Sequence, residues 1–254
     1  MEIMNDDKKC IRCGRCIQEC PSGAIAMVAG EKKLDRRKCD SCLRCTEVCP
    51  SNSLEAVGKF VSSSEAFREI EKDRPFYSNS GGGVTFSGGE PLAQWEFLDQ
   101  VLRKCKEGQL HVALDTSGYV SWEILERVQE NLDLVLYDLK HPDSGRHREK
   151  TGVGNELILE NASKIAAKKT TWFRIPLIPN FNDSPACMEK TIELALRFGI
   201  GKISLLPYHT WGISKYERLG RKYSFHPQEK IAEDKVQQFS YRIRKEGLEV
   251  TVGA

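Results

Sequence analysis

Eight of the ten cysteines in this chain of 254 residues lie between positions 10 and 49, and their spacing is that of a metal–sulfur site. Cys10, Cys13, Cys16 and Cys20 follow C-x2-C-x2-C-x3-C with Pro21 next, and Cys39, Cys42, Cys45, Cys49 and Pro50 repeat the run. Two-residue gaps let three thiolates of one tight loop reach three irons of a cubane, while the fourth cysteine extends to the other cluster. The spacing therefore predicts two 4Fe-4S clusters. One is assigned to Cys10, Cys13, Cys16 and Cys49, the other to Cys39, Cys42, Cys45 and Cys20. Gly14, Ser22 and Gly23 permit backbone N–H groups to turn toward the sulfurs. Paired zinc sites are the competing reading, and two complete repeats, each closed by proline, leave it little room.

A second set of chemically capable residues lies further along: Gly88-Gly89-Glu90, Asp115-Thr116, Asp138 with Lys140, Arg174, and Tyr208-His209. Each ends a short apolar stretch with strand character. Strands are expected near 83–86, 111–114, 134–137, 171–177, 202–206 and 249–252. Helices are expected from the serines at 62–64 to 71, then over 92–107, 121–130, 156–168, 185–198 and 227–246. Alternating strands and helices imply an α/β fold with a parallel sheet that closes or nearly closes into a barrel, beginning at about residue 59. All strands of such a sheet end on one face, so polar groups far apart in sequence can surround one ligand. Singly, each has a plainer explanation: Asp115 to Gly118 as a turn, Lys140 as a solvated end, His209 as a loop histidine. Cys105 and Cys187 read as small core residues on separate helices.

Composition sets the bounds. Hydrophobic residues at 40%, charged residues at 29% and a formal net charge of +2 are ordinary globular values. They give no reason to expect nucleic acid or an anionic membrane as a partner. No apolar run reaches the roughly eighteen residues of a membrane span, and the first residues lack the basic and apolar regions of a signal peptide. A cytoplasmic protein is expected. Cysteines crowded into one stretch of a chain this size suit metal better than disulfides.

The ordered motifs resemble those of the activating enzymes of glycyl radical enzymes, in the radical S-adenosylmethionine superfamily and of the pyruvate formate-lyase activating type with a ferredoxin-like insert. The likeness runs through Gly82 to Pro91, Leu114 to Gly118, Tyr137 to Lys140, Arg174 to Pro179, Asn182 to Ser184, Leu206 to His209 and Thr251 to Ala254. It implies a two-cluster ferredoxin-like module over residues 1–58 and a partial (βα)6 radical-SAM barrel over 59–254. It implies an oxidoreductase that reductively cleaves S-adenosylmethionine to a 5'-deoxyadenosyl radical, which takes hydrogen from a backbone glycine of a partner enzyme. Gly88, Gly89 and Glu90 would hold the methionyl amino group, and Lys140 its carboxylate. Asp115, Thr116 and Asp138 would build a monovalent-cation site. Arg174 would face the same cavity, and His209 would touch the cofactor from the last strand. A flavodoxin or small ferredoxin would donate the electron.

In one respect the chain departs from that family. The family's catalytic cluster is held by a C-x3-C-x2-C triad after the first barrel strand, and neither triad nor strand is found in this sequence. The chain is therefore expected to be an N-terminally truncated form, inactive alone, with a third 4Fe-4S cluster only in the full-length protein. The alternative is an iron–sulfur electron-transfer protein whose barrel is a non-catalytic docking domain. A further rival is a protein that clasps the glycine loop of a radical enzyme without activating it.

Overall fold

The computed structural model describes residues 1–223 and 230–253 and resolves the chain into two compact units. The first contains Met1–Phe60 and a second stretch beginning at His209; the other contains Val61–Tyr208 and the C-terminal residues. Among the described residues, no helix is long and apolar enough to cross a membrane.

In the first unit, β1 (Glu2–Asn5) is followed by a one-turn helix α1 (Arg15–Gln18), the hairpin strands β2 (Ile25–Val28) and β3 (Glu31–Leu34), a second one-turn helix α2 (Arg44–Glu47), and β4 (Leu54–Val57). β1 pairs antiparallel with β4, and β2 with β3. The two cysteine runs share one backbone path. Arg12 and Ser41 have φ of 57° and 58°, and Gly14 and Leu43, which cap α1 and α2, have 79° and 65°. The small core consists of Ile3, Ile25, Cys45 and Leu54 with other cysteines packed on it, too little apolar surface to hold this unit by burial alone.

The larger unit begins with α3 (Ser63–Glu71), set by a capping box in which Ser62 and Glu65 satisfy each other's backbone N–H groups, and α4 (Arg74–Ser80). Then come β5 (Gly83–Phe86), a 3-10 turn at Pro91–Gln94, α5 (Trp95–Glu107), β6 (His111–Thr116), α6 (Trp122–Gln129), β7 (Leu134–Asp138), α7 (Ser144–Thr151), α8 (Glu156–Ala166), β8 (Thr170–Leu177), α9 (Pro185–Phe198) and β9 (Lys202–Pro207). The chain passes through α10 (Ile213–Arg218), in the first unit, and returns with α11 (Glu233–Lys245) and β10 (Glu249–Val252). Strands β5 to β10 form one parallel sheet in sequential order, each paired with the next. This is the expected α/β sheet. Its strands carry Val112, Leu114, Val135, Phe173, Ile203 and Leu205 into a core shared with Val101, Leu102 and Cys105 of α5, all but fully buried. Cys187 is likewise buried on α9. Residues 227–229 of the helix expected over 227–246, and Ala254, lie outside the described residues.

The expected boundary at 58/59 leaves out the return of the chain to the first unit at His209. Ion pairs account for that return. Arg218 binds Glu55 at 2.7 Å, Arg221 binds Glu2 at 2.7 Å, and the Arg36 guanidinium donates to the backbone oxygens of Ile3 and Arg218, both at 3.0 Å.

Candidate functional site

In the first unit, Cys10, Cys13, Cys16 and Cys49 line one cavity of about 20 Å³. The fourth cysteine of the second run thus stands beside the first three of the first. Burial first, and then repulsion from Cys39, Cys20, Cys16 and Cys42, pushes the Cys45 thiol up to about 11. All ten cysteines are free thiols. Among the described residues no three of His, Cys, Asp and Glu close round a single ion. Thiols ringing a shared cavity suit a polynuclear group. The fourth cysteine of each run is prepared to ionise. Burial works against the thiolates of Cys20 and Cys49, but hydrogen bonds from Ser22 and the N–H groups of Ala24 and Ile25, and from Leu54, Ser51 and Ser53, outweigh it and lower both thiols. The Ala24 N–H lies 3.3 Å from Cys20 Sγ.

In the larger unit a cavity of about 350 Å³, the size class of small-ligand sites, opens at the carboxyl ends of β5, β6 and β7. Gly88, Gly89, Glu90, Asp115, Thr116, Asp138 and Lys140 all line it. After β5 the chain turns at Gly88 with φ of 134°, and neither Gly88 nor Gly89 would meet anything within 4 Å if it carried a Cβ. The missing side chains leave open space and bare backbone. Glu90 Oε1 accepts from Thr116 Oγ1 at 2.7 Å and the Leu92 N–H at 3.3 Å, and Oε2 accepts from the Ser117 N–H at 2.9 Å and Ser117 Oγ at 2.6 Å. About four lone-pair sites are all a carboxylate has. This one is committed to fastening the loop after β5 to the turn after β6.

Asp115 accepts from Ser87 Oγ at 2.9 Å and is paired with Arg174, so Arg174 joins the set through Asp115. Asp138 is paired with Lys140 at 3.0 Å. Burial nevertheless holds the Asp138 carboxyl above the usual range, Lys140 opposes this, and Asp115 adds repulsion. Lys140 is placed by Asn182, 1% exposed, whose Nδ2 donates to the Lys140 and Pro176 oxygens at 2.8 and 2.7 Å while its Oδ1 accepts from the Ile178 N–H at 2.8 Å. The turn after β6 needs glycine at 118, where φ is 68° and a Cβ would come within 1.8 Å of Tyr137 Oη.

His209 is not among the residues lining this cavity; it lies in the first unit, with its ring 4.6 Å from that of Trp211. Sequence reasoning passed over Ser117, His147, Thr151 and Val153, which also line the cavity. Ser117 lies inside the Leu114–Gly118 motif. His147 was hidden in a run of charged residues, yet it is 2% exposed, with Nδ1 2.8 Å from the Val153 carbonyl.

Residues 43–195 match the family model described as the radical SAM superfamily, and residues 2–62 match a 4Fe-4S dicluster domain. The chain is 41% identical to a trans-4-hydroxy-L-proline dehydratase activating enzyme of Clostridioides difficile, over 99% of this chain and 85% of that protein. It is 37% identical to a choline trimethylamine-lyase activating enzyme of Oleidesulfovibrio alaskensis, over 99% and 84%. Among solved structures, a domain of pyruvate-formate lyase-activating enzyme from Bacteroides vulgatus aligns at 34% identity and a TM-score of 0.58, covering 68% of this chain and 99% of that one.

Proposed function

Because the chain belongs to the radical SAM activating enzymes of glycyl radical enzymes, we propose that its larger unit binds S-adenosylmethionine in the cavity beyond β5, β6 and β7 and that its first unit carries two 4Fe-4S clusters. The observation that carries the reading is the gathering of Gly88, Gly89, Asp115, Asp138 and Lys140 around one cavity. The donor set fits the ligand. An ammonium beside carboxylates and bare carbonyls suits a zwitterionic amino acid, and nearby carboxylates suit a sulfonium. When bound and reduced, the cofactor supplies the 5'-deoxyadenosyl radical that takes hydrogen from a glycine of the partner enzyme.

The chain's own residues bind and orient. Lys140, held by Asn182, takes the methionyl carboxylate. The Gly88 and Gly89 carbonyls take the amino group, and Glu90 acts by holding that loop in place. Asp115, Thr116 and Asp138 offer oxygens to a monovalent cation beside the carboxylate. Arg174 fixes Asp115, and His209 is assigned to the same ligand on resemblance alone. In the first unit, Cys10, Cys13, Cys16 and Cys49 hold one cluster and Cys20, Cys39, Cys42 and Cys45 the other. A flavodoxin or small ferredoxin supplies electrons, in a cytoplasm reducing enough to keep free thiols free.

The test is calorimetric titration of S-adenosylmethionine into the anaerobically reconstituted chain. Binding is expected in the parent and at least about tenfold weaker in Lys140→Ala, the worth of one charge-assisted pair. A chain that carries about eight irons and shows no binding even when a C-x3-C-x2-C segment is supplied would instead be an electron-transfer protein with a docking barrel.

A further inference from the structure

Lys32 on β3 is 4% exposed, and among the described residues it is the one buried lysine or arginine. Among the described residues no carboxylate forms an ion pair with it. Its ammonium donates to Ser53 Oγ, itself 1% exposed and bonded onward to the Asp6 carbonyl at 2.8 Å. A buried cation answered by one hydroxyl is costly unless a negative charge stands close by. Lys32 lines the same cavity as Cys10, Cys13, Cys16 and Cys49.

We propose that Lys32 is a positioning charge that raises the reduction potential of the cluster held by Cys10, Cys13, Cys16 and Cys49 above that of its neighbour, so that a single electron in this unit resides there. This rests on the reading that the eight cysteines hold two clusters. Reduction adds one negative charge to a four-thiolate cluster, taken from a low-potential one-electron donor, and no proton moves. A buried ammonium fixed beside one cluster, with no other buried lysine or arginine among the described residues to match it at the second, favours the added charge on the first.

The test is a redox titration of the anaerobically reconstituted chain with dithionite, followed by electron paramagnetic resonance, in the parent, Lys32→Met and Lys32→Arg. In Lys32→Met one of the two signals is expected to need at least tenfold more reducing poise, about 59 mV for one electron, while the other stays put. Lys32→Arg is expected to keep the parent's potentials. Unmoved potentials in Lys32→Met, or equal movement of both signals, overturns the proposal. Loss of one cluster's iron in Lys32→Met with retention in Lys32→Arg supports the charge role, and loss in both overturns it. A parent chain with no iron–sulfur signal would fail the cluster reading itself.

Discussion

Asp138 holds a carboxylate where the protein disfavours it. Because burial raises its folded pKa above the unfolded value, the folded chain binds that proton more tightly. The stability this gives is fully present below the unfolded pKa and is lost as pH rises through the folded one. Asp138→Asn removes the penalty, so its melting temperature is expected to exceed the parent's at pH 7, with the gap closing as pH falls. The same substitution is expected to weaken S-adenosylmethionine binding, read by calorimetry. Equal melting curves at both pH values would show that Lys140 already offsets the burial. At this scale the sequence was informative where a motif fixed the residue and silent where packing did. Asp138 and Lys140 could be named from their strand end. The saturation of Glu90 by Thr116, Ser117 and Leu92 could not, because it depends on how two loops meet.

Among the elements, the turn that joins β6 to α6 is the most constrained. Gly118 is left-handed, faces Tyr137 Oη, and has its carbonyl held by Asn161 Nδ2 at 2.9 Å; Tyr137 in turn donates to the Ile158 carbonyl at 2.7 Å. Gly118→Ala should cost roughly 2–5 kcal/mol, the sum of a left-handed alanine and an overpacked contact. Chemical denaturation measures it; a cost below about 1 kcal/mol would mean that Tyr137 can swing away. Strands and long helices were legible because period-2 and period-3.6 apolar patterns survive in a single sequence. The expected helix over 92–107 is divided, with a 3-10 turn from Pro91 before α5, because Glu90 caps Leu92 there. Among the elements that escaped notice, α7, β2 and β3 did so for physical reasons. α7 is charged nearly all round, so its one buried residue, His147, leaves no periodic trace. β2 and β3 are four residues each and mostly exposed, and only their pairing makes them strands.

At the level of the whole molecule, the order of the six parallel strands follows from the order of the βα pattern, and it was readable for that reason. The discontinuous first unit was not. Nothing in residues 209–223 shows a periodic debt to Glu2, Asp6 or Glu55; the link is a matter of guanidinium groups reaching carboxylates across the chain. Arg218→Met is expected to leave the global melting midpoint in place, since such partly exposed pairs add little. Amide hydrogen exchange in α10 should quicken, and unchanged protection there would show that α10 is held by something other than Arg218.

That stitching has an evolutionary and practical edge. A recombination event, or an engineer, that transplanted only the leading cysteine segment into another scaffold would carry across acidic side chains whose basic counterparts stayed behind. The portable cassette is therefore a pair of separated stretches, and a chimera that moves both should fare better than one that moves the obvious half.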